Sequence, residues 1–574
     1  MESSEYPSTS APVQPVLPTV QVFLDLSDPS TLRQLTNISE EQGVVAELFG
    51  NQDSDIEDIE EPVPIRNNSV LPVHRDRLTP EDDSDEEHQE ETVEEGRRGW
   101  RRGVTTPEEL PFTGNSGVTE QPEDLSPLGF LKLMIDDDMM ENIVQETNRY
   151  AAESLRGKAL TPKSRFKKWV DVTVQEMWTF FGLIIAMGLV VIDNIEEYWS
   201  SHPLYDLPFF RLIMRRDRFL LILSFLHLAD NKEQPPRESE NFDPIFKIRK
   251  FVTKLQENFK RAYIPGARVA IDEAMVAWRG PLAFRVYNPD KPDKFGIKIF
   301  ELCDSDTSYC SSLEFYTGKR PCSAHGATFD VVSRLIAPYL EEGRTLFVDN
   351  YYTSPDLFTH LKEHKTLACG TLRLNRKNGP PKDMLPKLKK ADTTTSVITN
   401  GTLNLLRFYD KREVNILSIA HDDTMVATGK INPVTREPIV KLHAVADYNK
   451  FMGAVNRSDQ MVSYNSFRRR TLKWWKKAFF HMFMLAVLNS YLLHKCSVAA
   501  AEALSHRLFR RDLAMQLVAW APITLTRTIK DAGQPRTGDQ GPPAAMRAPQ
   551  GLTIAVGEFH IVNRLTSFSR TLGK

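Results

Sequence analysis

Cysteine is scarce in this 574-residue chain. The five cysteines have neither the paired spacing of a disulfide framework nor that of a four-cysteine zinc module, so we expect no disulfide-stabilised fold and no zinc. Long apolar runs are also lacking, because the longest, residues 178–192, has 15 residues where about 20 are needed to cross a bilayer. The N-terminus lacks the basic-then-apolar pattern of a signal peptide. These absences predict an intracellular protein with no membrane partner.

Positive charge is nearly absent from the first part of the chain. Residues 1–95 hold 24 Asp and Glu, four Arg and no Lys, whereas the other 479 residues hold 52 acidic and 68 basic residues. An acidic arm on a basic body is typical of a protein that binds a polyanion. We expect residues 1–120 to form a disordered arm that could recruit protein partners. The motif GRRGWRRG at 96–103 is either a nuclear-import or phosphate-contacting patch or a solvated linker.

The hydrophobic pattern predicts an α/β chain with several parts. Residues 121–264 have helical periodicity, which indicates a helical N-terminal domain. Residues 265–373 then read as three strands, a helix, a strand, a helix and a strand, which is typical of a layered α/β domain. Residues 374–446 read as a β-rich insertion, and residues 447–525 return to helix. Residues 526–574 read as a flexible tail.

Two acidic residues follow predicted strands of the α/β region. Asp272 ends the strand ARVAID, and Asp349 ends TLFVD. Carboxylates on neighbouring strand ends make a hard oxygen site that suits Mg²⁺ or Mn²⁺, as two-metal phosphoryl transfer requires. Taken alone, an acid at a strand end is more often a turn or helix-cap residue, so the pattern leaves both interpretations open.

Ordered motifs between about Leu125 and Trp520 make the chain resemble the piggyBac-type transposases. The motifs are TNRYA (147–151), AIDEAMVAWRG (270–280), VYNPDKPDKFGIKIF (286–300), LCDSDTSY (302–309), YTGK (316–319), FVDNYYTS (347–354), GTLRLNRKNGPP (370–381) and YNKFMGAVNRSDQM (448–461). The resemblance implies an RNase H-like catalytic domain of the DDE/D type, preceded by a helical domain for DNA binding and dimerisation. It also implies a nuclear protein whose partner is double-stranded DNA, and a homodimer.

The resemblance assigns the catalytic acids to three positions. The first two are Asp272 and Asp349. The family's third motif resembles MGGVD, whereas this chain has MGAVN, so that Asn456 stands at the third acid position. Asn keeps the shape of Asp without its charge, and loss of one carboxylate weakens metal binding and turnover. Asp459 lies three residues further along a predicted helix and could rescue the site as a metal ligand, and Asp447 is a weaker candidate.

DNA binding is expected from three basic segments. Lys and Arg release counterions from DNA, and Trp can stack on exposed bases. One of Trp474 and Trp475 is expected to lie in the core. The candidate DNA-binding residues are Lys291, Lys294 and Lys298 beside the predicted strands, Arg373, Arg376 and Lys377 after them, and Arg468, Arg469, Arg470, Lys473, Trp474, Lys476 and Lys477 in the basic segment 468–477.

Three functions remain open from the sequence. The piggyBac-type transposases typically end in a cysteine-rich, zinc-binding domain, but no Cys follows Cys496 in this chain. Together with Asn456, this favours a transposase-derived DNA-binding protein with impaired cut-and-paste activity. The alternatives are an active Mg²⁺- or Mn²⁺-dependent DNA transposase, and an interaction protein that acts through the acidic arm.

Overall fold

The computed structural model describes residues 99–519, except 290, 292, 386–387, 389–395, 410–411, 434–435, 468 and 470. The helices of this part are α1 Pro127–Met134, α2 Asp137–Leu155, α3 Val174–Leu189, α4 Pro208–Ile213, α5 Arg216–Phe225, α6 Phe246–Ala262, α7 Ala327–Ile336, α8 Pro355–Glu363, α9 His443–Phe451, α10 Ala454–Tyr464, α11 Trp474–Ser497 and α12 His506–Val518. The strands are β1 Arg101–Arg102, β2 Gly117–Val118, β3 Tyr263–Ile264, β4 Arg268–Ala277, β5 Val286–Tyr287, β6 Phe295–Asp304, β7 Cys310–Phe315, β8 Thr345–Val348, β9 Leu367–Thr371, β10 Ser396–Thr399, β11 Asn404–Tyr409, β12 Glu413–Ser418, β13 Met425–Ile431 and β14 Pro438–Leu442.

The central sheet has the expected RNase H-like topology. Strands β4, β6 and β7 form an antiparallel meander, and β8 and β9 continue the sheet parallel to β4. The spatial order is therefore β7-β6-β4-β8-β9. The connections from β7 to β8 and from β8 to β9 run through α7 and α8, as parallel strands require a crossover. The predicted fold class is confirmed.

Each face of the sheet packs against a different layer. On β4, Val269 and Ile271 point into the cluster that contains α7 and α8, whereas Ala270 and Val276 point into the larger cluster with the other helices. This alternation follows from the two-residue repeat of a strand. It places Asp272 on the same face as Ala270 and Val276, towards α10.

The insertion extends the central sheet. Strand β12 pairs antiparallel with β9, β11 with β12, and β10 with β11, and β1 pairs with β10 at the edge. Residues 99–120 differ here from the expected disordered arm. Trp100 is buried, and its indole N–H donates to the carbonyl of Asn378 at 3.2 Å. Arg101 and Arg102 of the GRRGWRRG motif thus form a short edge strand, with both side chains exposed.

Helices from the beginning and from the end of the described residues pack against one another in a helical layer. Helix α11 packs against α1, α6 and α10, while α12 packs against α3. The longest apolar run of the sequence is therefore mostly α3, which is buried between other helices. Among the described helices, none combines the length and the apolar character that are needed to cross a bilayer.

Candidate active site

The register of the central strands brings Asp272 and Asp349 together. Ile271 of β4 pairs in parallel with Val348 of β8, so one more residue along each strand sets the two aspartates side by side. Asp272 is only 6% exposed. Burial and the neighbouring charge of Asp272 raise the pKa of Asp349, and the backbone N–H groups of the following turn oppose this rise. The two acids are adjacent, as predicted, and Asp349 directly follows β8. The predicted strand end at Asp272 is wrong, because β4 continues to Ala277 and Asp272 lies in its middle.

Helix α10 places Asn456 directly on Asp272. The Nδ2 of Asn456 donates to Oδ2 of Asp272 at 2.8 Å, while Oδ1 of Asp272 accepts from the backbone N–H of Glu273 at 2.8 Å. Both carboxylate oxygens of Asp272 therefore have a hydrogen-bond donor. The side chain at the third acid position is a donor towards the first acid, where a carboxylate would be a further acceptor.

Lys291 fixes the orientation of this amide. Its Nζ donates to Oδ1 of Asn456 at 3.0 Å and to the backbone carbonyl of Glu273 at 2.8 Å. An ammonium group can only donate and an ionised carboxylate can only accept. The oxygen of Asn456 must then face Lys291 and its nitrogen must face Asp272. Lys291 was expected to contact DNA phosphates, but its described contacts are with the active centre.

Residue 457 anchors α10 beside this centre. The Nε of Arg457 donates to Oγ of Ser308 at 3.0 Å, and its NH2 donates to the carbonyl of Ser305 at 2.7 Å. Ser308 has a φ of 67°, a left-handed conformation that costs a side-chain-bearing residue about 1–2 kcal/mol. The hydrogen bond to Arg457 holds Ser308 in that turn and ties it to the helix that carries Asn456.

Two acids that the sequence analysis did not select also line the site. Glu301 is paired across the sheet with Asp272, is 1% exposed, and has a pKa raised to about 8 by burial and by the neighbouring charges of Asp459 and Asp272. Glu273 is also buried, and burial together with Asp272 raises its pKa. A lone Glu inside the alternating apolar strand KIFELCD was the available signal for Glu301.

Asp459 contacts a different part of β4 from Asn456. The backbone of Met275 hydrogen-bonds to the Asp459 carboxylate. Met275 lies three residues beyond Asp272, which is about 10 Å along a strand. Burial raises the pKa of Asp459, and the nearby His481 and Lys291 oppose this. The possible rescue, in which Asp459 would join Asp272 on a metal, stays a prediction, because Asp459 and Asp272 both lie close enough to Glu301 to raise its pKa.

The centre as arranged fits a divalent metal poorly. Asp272 and Asp349 offer hard oxygen ligands, but the third position presents the amide N–H of Asn456, and the ammonium of Lys291 lies next to it. Both groups repel a cation. Glu301 would add a ligand, but burial raises its pKa and so favours its protonated form, while Lys291 opposes this.

Comparisons with known proteins agree with this fold. The model of the family described as Transposase IS4 matches residues 126–491. The chain belongs to this family of DDE transposases. It is 27% identical over 414 residues to human PiggyBac transposable element-derived protein 3, covering 69% of this chain and 66% of that protein. It is 26% identical over 492 residues to human PiggyBac transposable element-derived protein 2, covering 81% and 79%.

A solved structure is similar as well. It is the cryo-EM structure of a piggyBac transposase synaptic complex with hairpin DNA, with a TM-score of 0.61 and 28% identity. The match covers 73% of this chain and 87% of that one. The chain is thus a piggyBac transposable element-derived member of the DDE family. Transposases of this family generally use divalent metal ions, which makes the poor fit of the present centre notable.

Several basic residues of this DDE-family chain lie where DNA could reach them, and others do not. Lys294, Arg373 and Lys377 are exposed. Arg373 donates to Oδ1 of Asn350, directly after Asp349, and Arg376 donates to the carbonyls of Asn350 and Tyr351. Arg376 therefore supports the turn that carries Asp349. Arg468 and Arg470 lie outside the described residues.

Two of the expected DNA-binding lysines are buried, which corrects the sequence analysis. Lys476 is 7% exposed and caps α5, because its Nζ donates to the carbonyls of Leu223 and Ser224 at 2.6 and 2.9 Å. Lys298 is 9% exposed, and its Nζ lies 5.0–5.4 Å from the ring centres of Phe300, Tyr316 and Tyr351. Both ammonium groups make their described contacts inside the protein.

The rest of the basic segment is partly covered. Lys477 is half-buried, and its Nζ donates to the carbonyl of Arg469 at 3.1 Å. Lys473 is also half-buried, with its Nζ 5.7 Å from the ring centre of Tyr150. Trp475 is buried, whereas Trp474 is half-buried and packs edge-on against Phe284. One tryptophan therefore lies fully in the core, as expected, and the other is also held by core contacts.

Proposed function

We propose that the chain is a nuclear, homodimeric DNA-binding protein derived from a piggyBac transposase, whose DNA cleavage is impaired by Asn456. The observation that carries the proposal is the chain of hydrogen bonds from Lys291 to Asn456 to Asp272. It supplies a protein donor to the carboxylate of Asp272. A centre that is satisfied without metal has less to gain from binding one.

Family membership supports the DNA-binding half of the proposal. The similar solved structure is a transposase in complex with hairpin DNA. In this chain, Arg373 follows β9 and Lys294 precedes β6, both at the end of the sheet where Asp349 lies. Two exposed cations at this edge could contact phosphates and release counterions.

The experiment measures duplex DNA affinity of the full-length chain by fluorescence anisotropy at several salt concentrations. Lys294→Gln/Arg373→Gln is compared with Lys362→Gln/Lys365→Gln. The control lysines lie before β9, at the opposite end of the parallel strands, because Thr345 pairs with Leu367 there.

Loss of two phosphate contacts should flatten the slope of log K against log salt by about 2, since each contact contributes about 0.9. The control pair should leave the slope unchanged. Equal slopes in both double variants would remove this edge from the DNA interface, and a wild-type chain without salt-dependent affinity would contradict DNA binding altogether.

An active transposase is the second candidate, because Asp272 and Asp349 remain side by side. It predicts metal-dependent cleavage by the unaltered chain. Comparing DNA cleavage by the unaltered chain with cleavage by Asn456→Asp separates the two candidates.

A further inference from the structure

Two histidines and an aspartate meet at the base of the β13–β14 hairpin. His421 precedes the hairpin, and His443 follows it as the first residue of α9. The backbone N–H of His443 donates to the carbonyl of Thr424 at 2.9 Å, which closes the hairpin base. Asp447 lies one turn further along α9, so that it shares a helix face with His443. The cluster therefore joins the two ends of the hairpin to α9.

The spacing of the three side chains suits a small tetrahedral cation. Oδ2 of Asp447 lies 3.2 Å from Nε2 of His421 and 3.5 Å from Nε2 of His443. One ligand atom from each residue lies within 4.8 Å of the others. With zinc-to-ligand bonds of about 2.0–2.1 Å, the ligand atoms of a tetrahedral site are about 3.3 Å apart. The two separations from Asp447 Oδ2, at 3.2 and 3.5 Å, are close to this value.

The surroundings of His421 can support metal binding. Its ring is 4% exposed, and its Nδ1 is 2.9 Å from Oγ of Ser418. The hydroxyl of Ser418 can donate a hydrogen bond to the carbonyl of Ala368 at 3.3 Å, which leaves its oxygen free to accept from Nδ1–H of His421. In this tautomer the lone pair of His421 is on Nε2, the nitrogen that faces Asp447. A second hydrogen bond on the far nitrogen is the usual way in which a metal-binding imidazole is oriented.

We propose that His421, His443 and Asp447 bind a divalent cation of the zinc class, with water as the fourth ligand. The site fixes the base of the β13–β14 hairpin to α9, the helix that precedes the Asn456-bearing α10. The inference is independent of the proposed function. It departs from the expectation of no zinc, which rested on cysteine spacing, whereas these ligands come from residues 22 and four positions apart. His443 is 48% exposed, so the site has a path to solvent.

A second group of potential ligands is less suited. Glu301, Cys303 and Cys310 also lie close together, but all three are buried within the sheet. Burial raises the pKa of Cys303, and hydrogen bonding between the two thiols together with burial raises that of Cys310. Neutral thiols are poor ligands, because the thiolate is the form that binds metal.

The first measurement is the zinc content of the full-length chain. The protein is stripped with a chelator, loaded with Zn²⁺ in excess Mg²⁺, desalted and analysed by mass spectrometry of the metal. We expect about one zinc per chain, loss of that zinc in His443→Gln and in Asp447→Asn, and full retention in His202→Gln. His202 is an exposed histidine of the helical region and serves as the matched control.

Retention of zinc by His443→Gln would overturn the proposal, as would a wild-type chain that holds none. Because His443 is exposed, its substitution should leave the fold intact, and circular dichroism checks this. Hydrogen exchange gives an independent readout. In the wild type, zinc should slow exchange of the amides of β13 and β14 at least several-fold. In His443→Gln, zinc should leave the exchange rates of these amides unchanged. Equal exchange in the wild type with and without zinc would refute the clamp.

Discussion

Restoring the third carboxylate should convert the centre into one that needs a metal. In Asn456→Asp the amide donor that faces Asp272 at 2.8 Å becomes an acceptor. Two carboxylates about 4 Å apart between their charge centres repel each other by about 4 kcal/mol at an effective dielectric constant of about 20. Lys291, which lies at 3.0 Å from the Asn456 oxygen, offsets part of this repulsion. We therefore expect the metal-free variant to be less stable than the wild type by up to a few kcal/mol.

A divalent cation should reverse that loss. Binding at a free concentration of 100 times Kd stabilises the folded state by about 2.7 kcal/mol. For a chain of this size the corresponding rise in Tm is about 2–3 °C. The wild type should show little rise at the same Mg²⁺ or Mn²⁺ concentration, because its centre is already satisfied by protein donors.

The assay is thermal unfolding of full-length wild type and Asn456→Asp across a Mg²⁺ and a Mn²⁺ titration, followed by nicking of DNA that carries a piggyBac-type transposon end. Asn241→Asp adds the same charge at an exposed site and is the matched control. Asp272→Ala in the Asn456→Asp background should abolish both the metal response and any gain in nicking. If the Tm of the wild type and that of Asn456→Asp rose at the same metal concentration, the reasoning would be refuted. Equal nicking by the two proteins would favour the active-transposase candidate.

Two more predictions follow from buried ionisable groups. The pKa of Glu301 is raised to about 8 from the ordinary 4.5, so the folded chain keeps a proton that the unfolded chain releases, and stability falls as pH rises through this window, by at most about 1.4 kcal/mol per unit. Glu301→Gln should therefore lose less Tm between pH 5 and 8 than the wild type or the exposed control Glu257→Gln, and an identical pH profile would contradict a protonated Glu301. Lys476→Met should leave the carbonyl end of α5 uncapped and cost about 1–3 kcal/mol without changing the salt slope of DNA binding, whereas Lys495→Met at an exposed position should do neither. A flatter slope with unchanged Tm in Lys476→Met would restore Lys476 as a phosphate contact.

The sheet and the paired aspartates could be predicted because their signals are local. Alternating residues indicate β6, and an acid that directly follows a short apolar run indicates the carboxyl end of β8. The same rule places the end of β4 too early, because β4 runs five residues beyond Asp272. Asp272 and Asp349 needed no further information than the parallel pairing of β4 with β8. Asn456 was found through the motif around it, since nothing in its own helix marks it.

The roles of the lysines could not be predicted, because charge alone does not tell which way a side chain points. The segment 468–477 reads as one basic patch, but α11 begins at Trp474 and turns Lys476 towards the carbonyl end of α5. Lys298 is a buried residue of β6, and its ammonium group lies among the rings of Phe300, Tyr316 and Tyr351. The His421–His443–Asp447 cluster likewise depends on how the hairpin closes, which no short sequence window contains.

Under the proposed function, the charge of the centre acts on both metal binding and DNA binding. Asp272 and Asp349 contribute at most two negative charges and Lys291 one positive charge, while burial raises the pKa of Glu273 and of Glu301 and so keeps both carboxyls towards the neutral form. With Asn456 these groups carry one negative charge fewer than they would with an aspartate at position 456. Two divalent metals would bring +4 and so favour the more negative centre. A phosphate backbone without metals has the opposite preference, because the less negative centre repels it less. The single change from carboxylate to amide therefore weakens the attraction for metal and the repulsion of DNA in the same step.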